Sequence, residues 1–81
     1  MNSIQIDPKN KKVEISLNKN FYSIDAVKKA ISDFKKVGNF SVSNKKSIIV
    51  SLKLKNSSDI ENIGYEFCNY VLALMKNEAS V

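Results

Sequence analysis

The spacing of apolar residues in this chain switches between two periods, and that switching restricts the fold more than any other feature. Ile4 and Ile6 stand two apart, and so do Val13, Ile15 and Leu17. From Ile24 the spacing lengthens, through Val27, Ala30, Ile31 and Phe34. It returns to two at Phe40 and Val42 and again at Ile48, Val50, Leu52 and Leu54, then lengthens a second time from Ile60 to Met75. A period of two lines one face of a strand, whereas spacing by three and four lines one stripe of a helix. The predicted order is therefore ββαββα.

The intervening residues support these boundaries. Asp7-Pro8-Lys9-Asn10 reads as a hairpin turn, with Pro8 fixing φ and Asn10 suited to a left-handed conformation. Asn18-Lys19-Asn20 ends the second strand. Ser23 is a good N-cap for the first helix, Asp25 and Lys35–Lys36 suit its dipole, and Gly38 is expected to stop it. Ser43-Asn44-Lys45-Lys46 turns the chain between a short third strand and the fourth. Ser58 and Glu61 form a capping box, S-D-I-E, that would open the final helix. The tail after Met75 is expected to fray.

The fourth strand is the most apolar and belongs at the sheet centre. The expected architecture is an α+β two-layer sandwich, with a mostly antiparallel four-stranded sheet in the order 1-2-4-3. Both helices lie on one face, and the second strand, first helix and third strand make a split β-α-β unit. With 81 residues the chain suits a single domain over 1–81, with an ordered core of about 3–76. A 43% hydrophobic content is that of a globular chain.

Composition excludes several functions. The 13 basic residues are all lysine, and the net charge is +5. Without arginine, bidentate reading of guanine is unavailable. Without histidine there is no Ser-His-Asp relay and no histidine metal site. Gly38 and Gly64 are too far apart to make a phosphate loop, and no spacing pairs two carboxylates. Cys68 lies in an apolar helical stretch and reads as a buried, inert thiol. No catalytic residue, metal site or cofactor is expected, and the chain is read as a non-enzyme. No apolar run approaches a membrane span, and M-N-S-I-Q-I-D-P lacks a signal peptide's apolar stretch, so a cytoplasmic location is expected.

The outward sheet positions are Gln5, Lys12, Glu14, Ser16, Asn39, Ser41, Ser47, Ile49, Ser51 and Lys53. Sheets that bind single-stranded RNA stack bases on aromatic residues, and this face has none. The expected topology gathers Lys9, Lys11, Lys12, Lys35, Lys36, Lys53 and Lys55 at one end. Nucleic-acid binding there would be weak, nonspecific and lost as salt rises.

The final helix carries more apolar surface than one sheet face requires. Ile60, Ile63, Gly64, Phe67, Cys68, Val71, Leu74 and Met75 form its main stripe. Tyr70 widens the stripe on one side, and Tyr65 with Leu72 on the other, to an arc of roughly 220° where about 100° covers a sheet. Gly64 implies close approach, either of the sheet or of another helix. Tyr65, Asn69 and Leu72 share one flank and form the best candidate contact patch; aromatic residues with a polar tip are common at interfaces.

Two stretches, F-Y-S-I-D-A-V-K-K-A-I-S-D-F at 21–34 and G-Y-E-F-C-N-Y-V-L at 64–72, resemble the HxsD-like proteins of the His-Xaa-Ser system. The matching positions are Tyr22, Asp25, Ala26, Ala30 and Phe34, then Glu66, Phe67, Asn69 and Leu72. The resemblance covers about residues 13–76. It implies a small accessory protein beside a radical-SAM enzyme that modifies a ribosomally made peptide, with no cofactor of its own. A weaker resemblance is to the small dimerising subunits of the KEOPS tRNA-modifying complex, which share the strand–helix order.

The function expected is thus a non-catalytic protein- or peptide-binding accessory subunit, with Tyr65, Glu66, Asn69, Tyr70 and Leu72 as partner-binding residues. Its partner would be a protein or peptide, the radical-SAM enzyme among them. Self-association as a homodimer would use the final helix or a strand edge. The alternative is a small basic subunit of a tRNA-modification or other nucleic-acid-associated complex.

Overall fold

The computed structural model describes residues 3–56 and 60–79. Four strands, β1 (Ser3–Asp7), β2 (Lys12–Leu17), β3 (Gly38–Asn44) and β4 (Ile48–Leu54), form one antiparallel sheet in the order β1-β2-β4-β3. Helix α1 (Ile24–Asp33) follows β2, and helix α2 (Ile63–Ala79) follows β4. The expected α+β fold and strand order are both present.

The register explains the two faces. Across the sheet, Ile6, Val13, Leu52 and Phe40 form one inward row, and Ile4, Ile15, Val50 and Val42 the next. Val13, Ile15, Val50 and Leu52 are fully buried, since β2 and β4 are central; Ile4, Ile6, Phe40 and Val42, on the edges, are half-buried. Ala26, Val27 and Ala30 of α1 and Phe67, Cys68 and Val71 of α2 close the core from above. A chain of aromatic rings, edge-to-face at Phe34 and tilted between Phe67 and Phe40, ties the layers together. Phe34 meets Tyr70 at 5.2 Å and Phe67 at 5.4 Å, and Phe67 meets Phe40 at 5.5 Å. Tyr70 also reaches Asp33, while Met75 Sδ accepts from the Ser23 N–H, so α2 runs antiparallel to α1.

Several local expectations change. In the first hairpin the left-handed residue is Lys11, at φ 56°, rather than Asn10. Asn10 instead donates from its amide and its side chain to the Asp7 carboxylate, at 3.3 and 2.8 Å. Ser23 does cap α1, accepting from the Ala26 N–H. Gly38 does not stop that helix: Phe34 ends it, a 3₁₀ turn over Lys35–Val37 follows, and Gly38 opens β3. Its φ is 169°, ordinary extended backbone. Glycine is needed there because a Cβ would lie 2.2 Å from the Lys53 carbonyl oxygen. The third strand has seven residues and runs through Ser43 and Asn44, which were expected to turn. Helix α2 starts at Ile63, later than Ser58, and continues through Met75 to Ala79 instead of fraying. The proposed capping box rests on Ser58, which lies outside the described residues.

Candidate functional site

Gly64 sets the position of α2 on the sheet. A Cβ there would come within 2.8 Å of Ile4 Cγ2 and 3.5 Å of Val13 Cγ1, so the helix backbone rests on β1 and β2. Of the two readings of this glycine, close approach to the sheet is the one realised. Seated so low, α2 turns one flank outward past the free edge of β1. Ile4, Tyr22, Tyr65, Cys68, Asn69 and Leu72 line a groove of about 270 Å³ along that flank. None of the six is charged, in a chain of net charge +5.

The walls come from three elements. Tyr65 and Leu72 are 61% and 45% exposed and stand two turns apart on the rim; Cys68, 7% exposed, forms the floor with half-buried Ile4. Tyr22 is held by the loop before α1. There the N–H groups of Phe21 and Tyr22 both donate to the Asn18 carbonyl, at 2.9 and 3.0 Å, and Asn20 N–H donates to Asn18 Oδ1. On this turn Tyr22 is buried and Phe21 is 68% exposed. Burial pushes the Cys68 thiol above its ordinary pKa and keeps it neutral.

The β1 edge adds hydrogen-bonding capacity. Leu54 N–H donates to the Lys11 carbonyl, which fixes the alternation of bonded pairs between β2 and β4. By that alternation, Ser3, Gln5 and Asp7 bond to β2, and the backbone groups of Ile4 and Ile6 face the free edge. The groove therefore offers apolar walls beside strand donors and acceptors, a combination suited to docking a polypeptide.

The predicted partner-binding residues separate. Tyr65, Asn69 and Leu72 lie together on the groove. Glu66 is exposed but does not line it. Tyr70 occupies the opposite flank, where its hydroxyl donates to Asp33 and its ring packs on Phe34. The Asp33 hydrogen bond holds the Tyr70 hydroxyl above the usual tyrosine pKa. Ile4 and Tyr22, which the sequence pattern did not single out for this surface, also line this groove.

The lysine-rich end forms as expected. Lys12 lies opposite Lys53, Lys11 is joined to Leu54, and Lys55 N–H donates to the Val37 carbonyl just after Lys35 and Lys36. All seven lysines, with Lys9 in the hairpin turn, are exposed. The open sheet face has a shallow depression of about 350 Å³ that includes Lys12, Glu14, Asn39, Ser41, Ser51 and Lys53. Among the described residues, no three His, Cys, Asp or Glu side chains gather as a metal site, and no helix is long and apolar enough to cross a membrane. Comparison of the chain with protein-family models, with curated proteins and with solved structures finds no match in any of the three.

Proposed function

We propose that this chain is a non-catalytic accessory subunit that docks a protein partner in the groove between α2 and the β1 edge. One observation carries the reading: exposed Tyr65 and Leu72 flank an uncharged groove beside free strand groups, in a chain of net charge +5. Large apolar side chains around a depression are the usual core of an interface, where charged residues are depleted. The resemblance of 21–34 and 64–72 to HxsD-like proteins supports a radical-SAM peptide-modifying enzyme as that partner. Glu66, on the exposed crest of α2, suits the polar rim of such a contact.

The test is co-purification of the tagged chain with the radical-SAM enzyme encoded beside its gene. Wild type retains the enzyme, and the Tyr65→Ser/Leu72→Ser variant loses it while keeping its circular dichroism spectrum. Absence of any such neighbouring gene, or equal retention by the variant, rejects the reading. A second reading rests on the seven gathered lysines: weak association with nucleic acid at that end. Binding that persists at high salt counts against it, because lysine–phosphate contacts depend on counterion release.

A further inference from the structure

A second surface lies on the opposite edge of the sheet and is independent of the α2 groove. We infer that the free edge of β3, with the groove between it and α1, takes up an acidic, extended peptide segment as an added strand.

The backbone supplies the template. Lys55 N–H donates to the Val37 carbonyl, so the bonded pairs between β3 and β4 fall at Asn39–Lys53, Ser41–Ser51 and Ser43–Ile49. The N–H and C=O groups of Gly38, Phe40, Val42 and Asn44 then face away from β4, toward the free edge. Natural edges are usually blunted by a charged residue, a proline or short length. The sequence G-N-F-S-V-S-N has no charge and no proline, and it is seven residues long. The other edge is protected better: β1 has five residues, ends in Asp7 and is followed by Pro8.

The side chains above this edge define the occupant. A groove of about 550 Å³ is lined by Lys28, Ile31 and Ser32 of α1, by Lys35 of the 3₁₀ turn that follows it, by Gly38, Asn39 and Phe40 of β3, and by Lys55. Among the described residues it has three lysines and no acidic residue. Asp33, the nearest acid on α1, is turned away and engaged by Tyr70. A second copy of this chain would place the same lysines against each other, so this edge repels self-pairing. Lys28 and Lys35 are seven residues apart, along α1 and into the 3₁₀ turn after it, a rise of roughly 10–11 Å. Alternate residues of a strand that face one side repeat every ~7 Å. An added strand therefore fits best with an apolar residue against Ile31 and Phe40 and acidic residues two positions to either side, within reach of the lysines.

The test uses fluorescence anisotropy with a labelled peptide of alternating glutamate and threonine around one central isoleucine. The same peptide N-methylated at the ladder amides, a lysine-for-glutamate version and a short oligothymidylate are the comparisons. Binding of the acidic peptide is expected, with amide NMR shifts centred on 38–44. The Lys28→Glu/Lys35→Glu variant should weaken it about tenfold or more. N-methylation should weaken it as much, because the ladder bonds are lost. Equal binding of the N-methylated peptide or of the oligothymidylate would overturn the inference, as would shifts centred on α2. The Tyr65→Ser/Leu72→Ser variant should bind the peptide as wild type does, which keeps this result separate from the docking of a partner on α2.

Discussion

At the scale of single residues, the two glycines show how much the reason for a residue depends on its neighbours. Both are close-approach positions, but what they approach differs. A Cβ at Gly38 would meet the backbone carbonyl of Lys53, which cannot move without parting β3 from β4. A Cβ at Gly64 would meet a methyl of Ile4, a half-buried side chain on an edge strand. Gly38→Ala should therefore cost about 1–3 kcal/mol in urea unfolding, the range for overpacking. Gly64→Ala should cost less, since an alanine inside a helix regains up to about 1 kcal/mol. Tyr70 makes a second prediction at this scale. Its hydroxyl donates to Asp33, so its folded pKa is raised. The stabilisation is present below the ordinary tyrosine range and is lost as pH rises through the raised folded value. In spectrophotometric titration Tyr70 should ionise above the ordinary tyrosine range, and Asp33→Ala should bring it down, leaving only the part due to burial.

At the scale of elements, the row Asp7–Lys12–Lys53–Asn39 crosses the open face with two lysines directly opposed. Like charges in register are unfavourable. Lys53→Glu turns the row into alternating charge, and it should raise stability by about 0.2–1 kcal/mol at low salt, with the gain fading as salt is added. Measuring urea midpoints at two ionic strengths checks both parts. The elements themselves were largely legible in the sequence, because a change of period survives small errors at each end. Their limits were less so. Nothing local distinguishes Gly38 as a helix stop from Gly38 as the first strand residue; the Lys53 carbonyl that decides it is 15 positions away. The flank of α2 was legible as a surplus of apolar arc, since a wheel shows which residues share a side. It does not show which side meets α1, so Tyr70 was grouped with Tyr65 although Phe34 and Asp33 engage it internally. Ile4 and Tyr22 join the groove only through tertiary contact.

At the scale of the molecule, charge is distributed unevenly over three surfaces. The β1 edge and the α2 flank make an uncharged groove, the β3 edge lies under lysines of α1 and of the turn after it, and one end of the sheet gathers seven lysines, of which Lys35 and Lys55 also border the β3 groove. The two strand edges thus differ in character, as the two proposed dockings, a protein beside α2 and an acidic peptide on β3, require. Docking in the α2 groove is the central proposal, and hydroxyl-radical footprinting reads it most directly. In the free chain, Phe21, Tyr65 and Leu72 should label strongly, as their exposures of 68%, 61% and 45% require. In the proposed complex with a radical-SAM enzyme, Tyr65 and Leu72 should be protected. Unchanged labelling of both side chains in a formed complex, with protection confined to the lysine-rich end or the open sheet face, would contradict it.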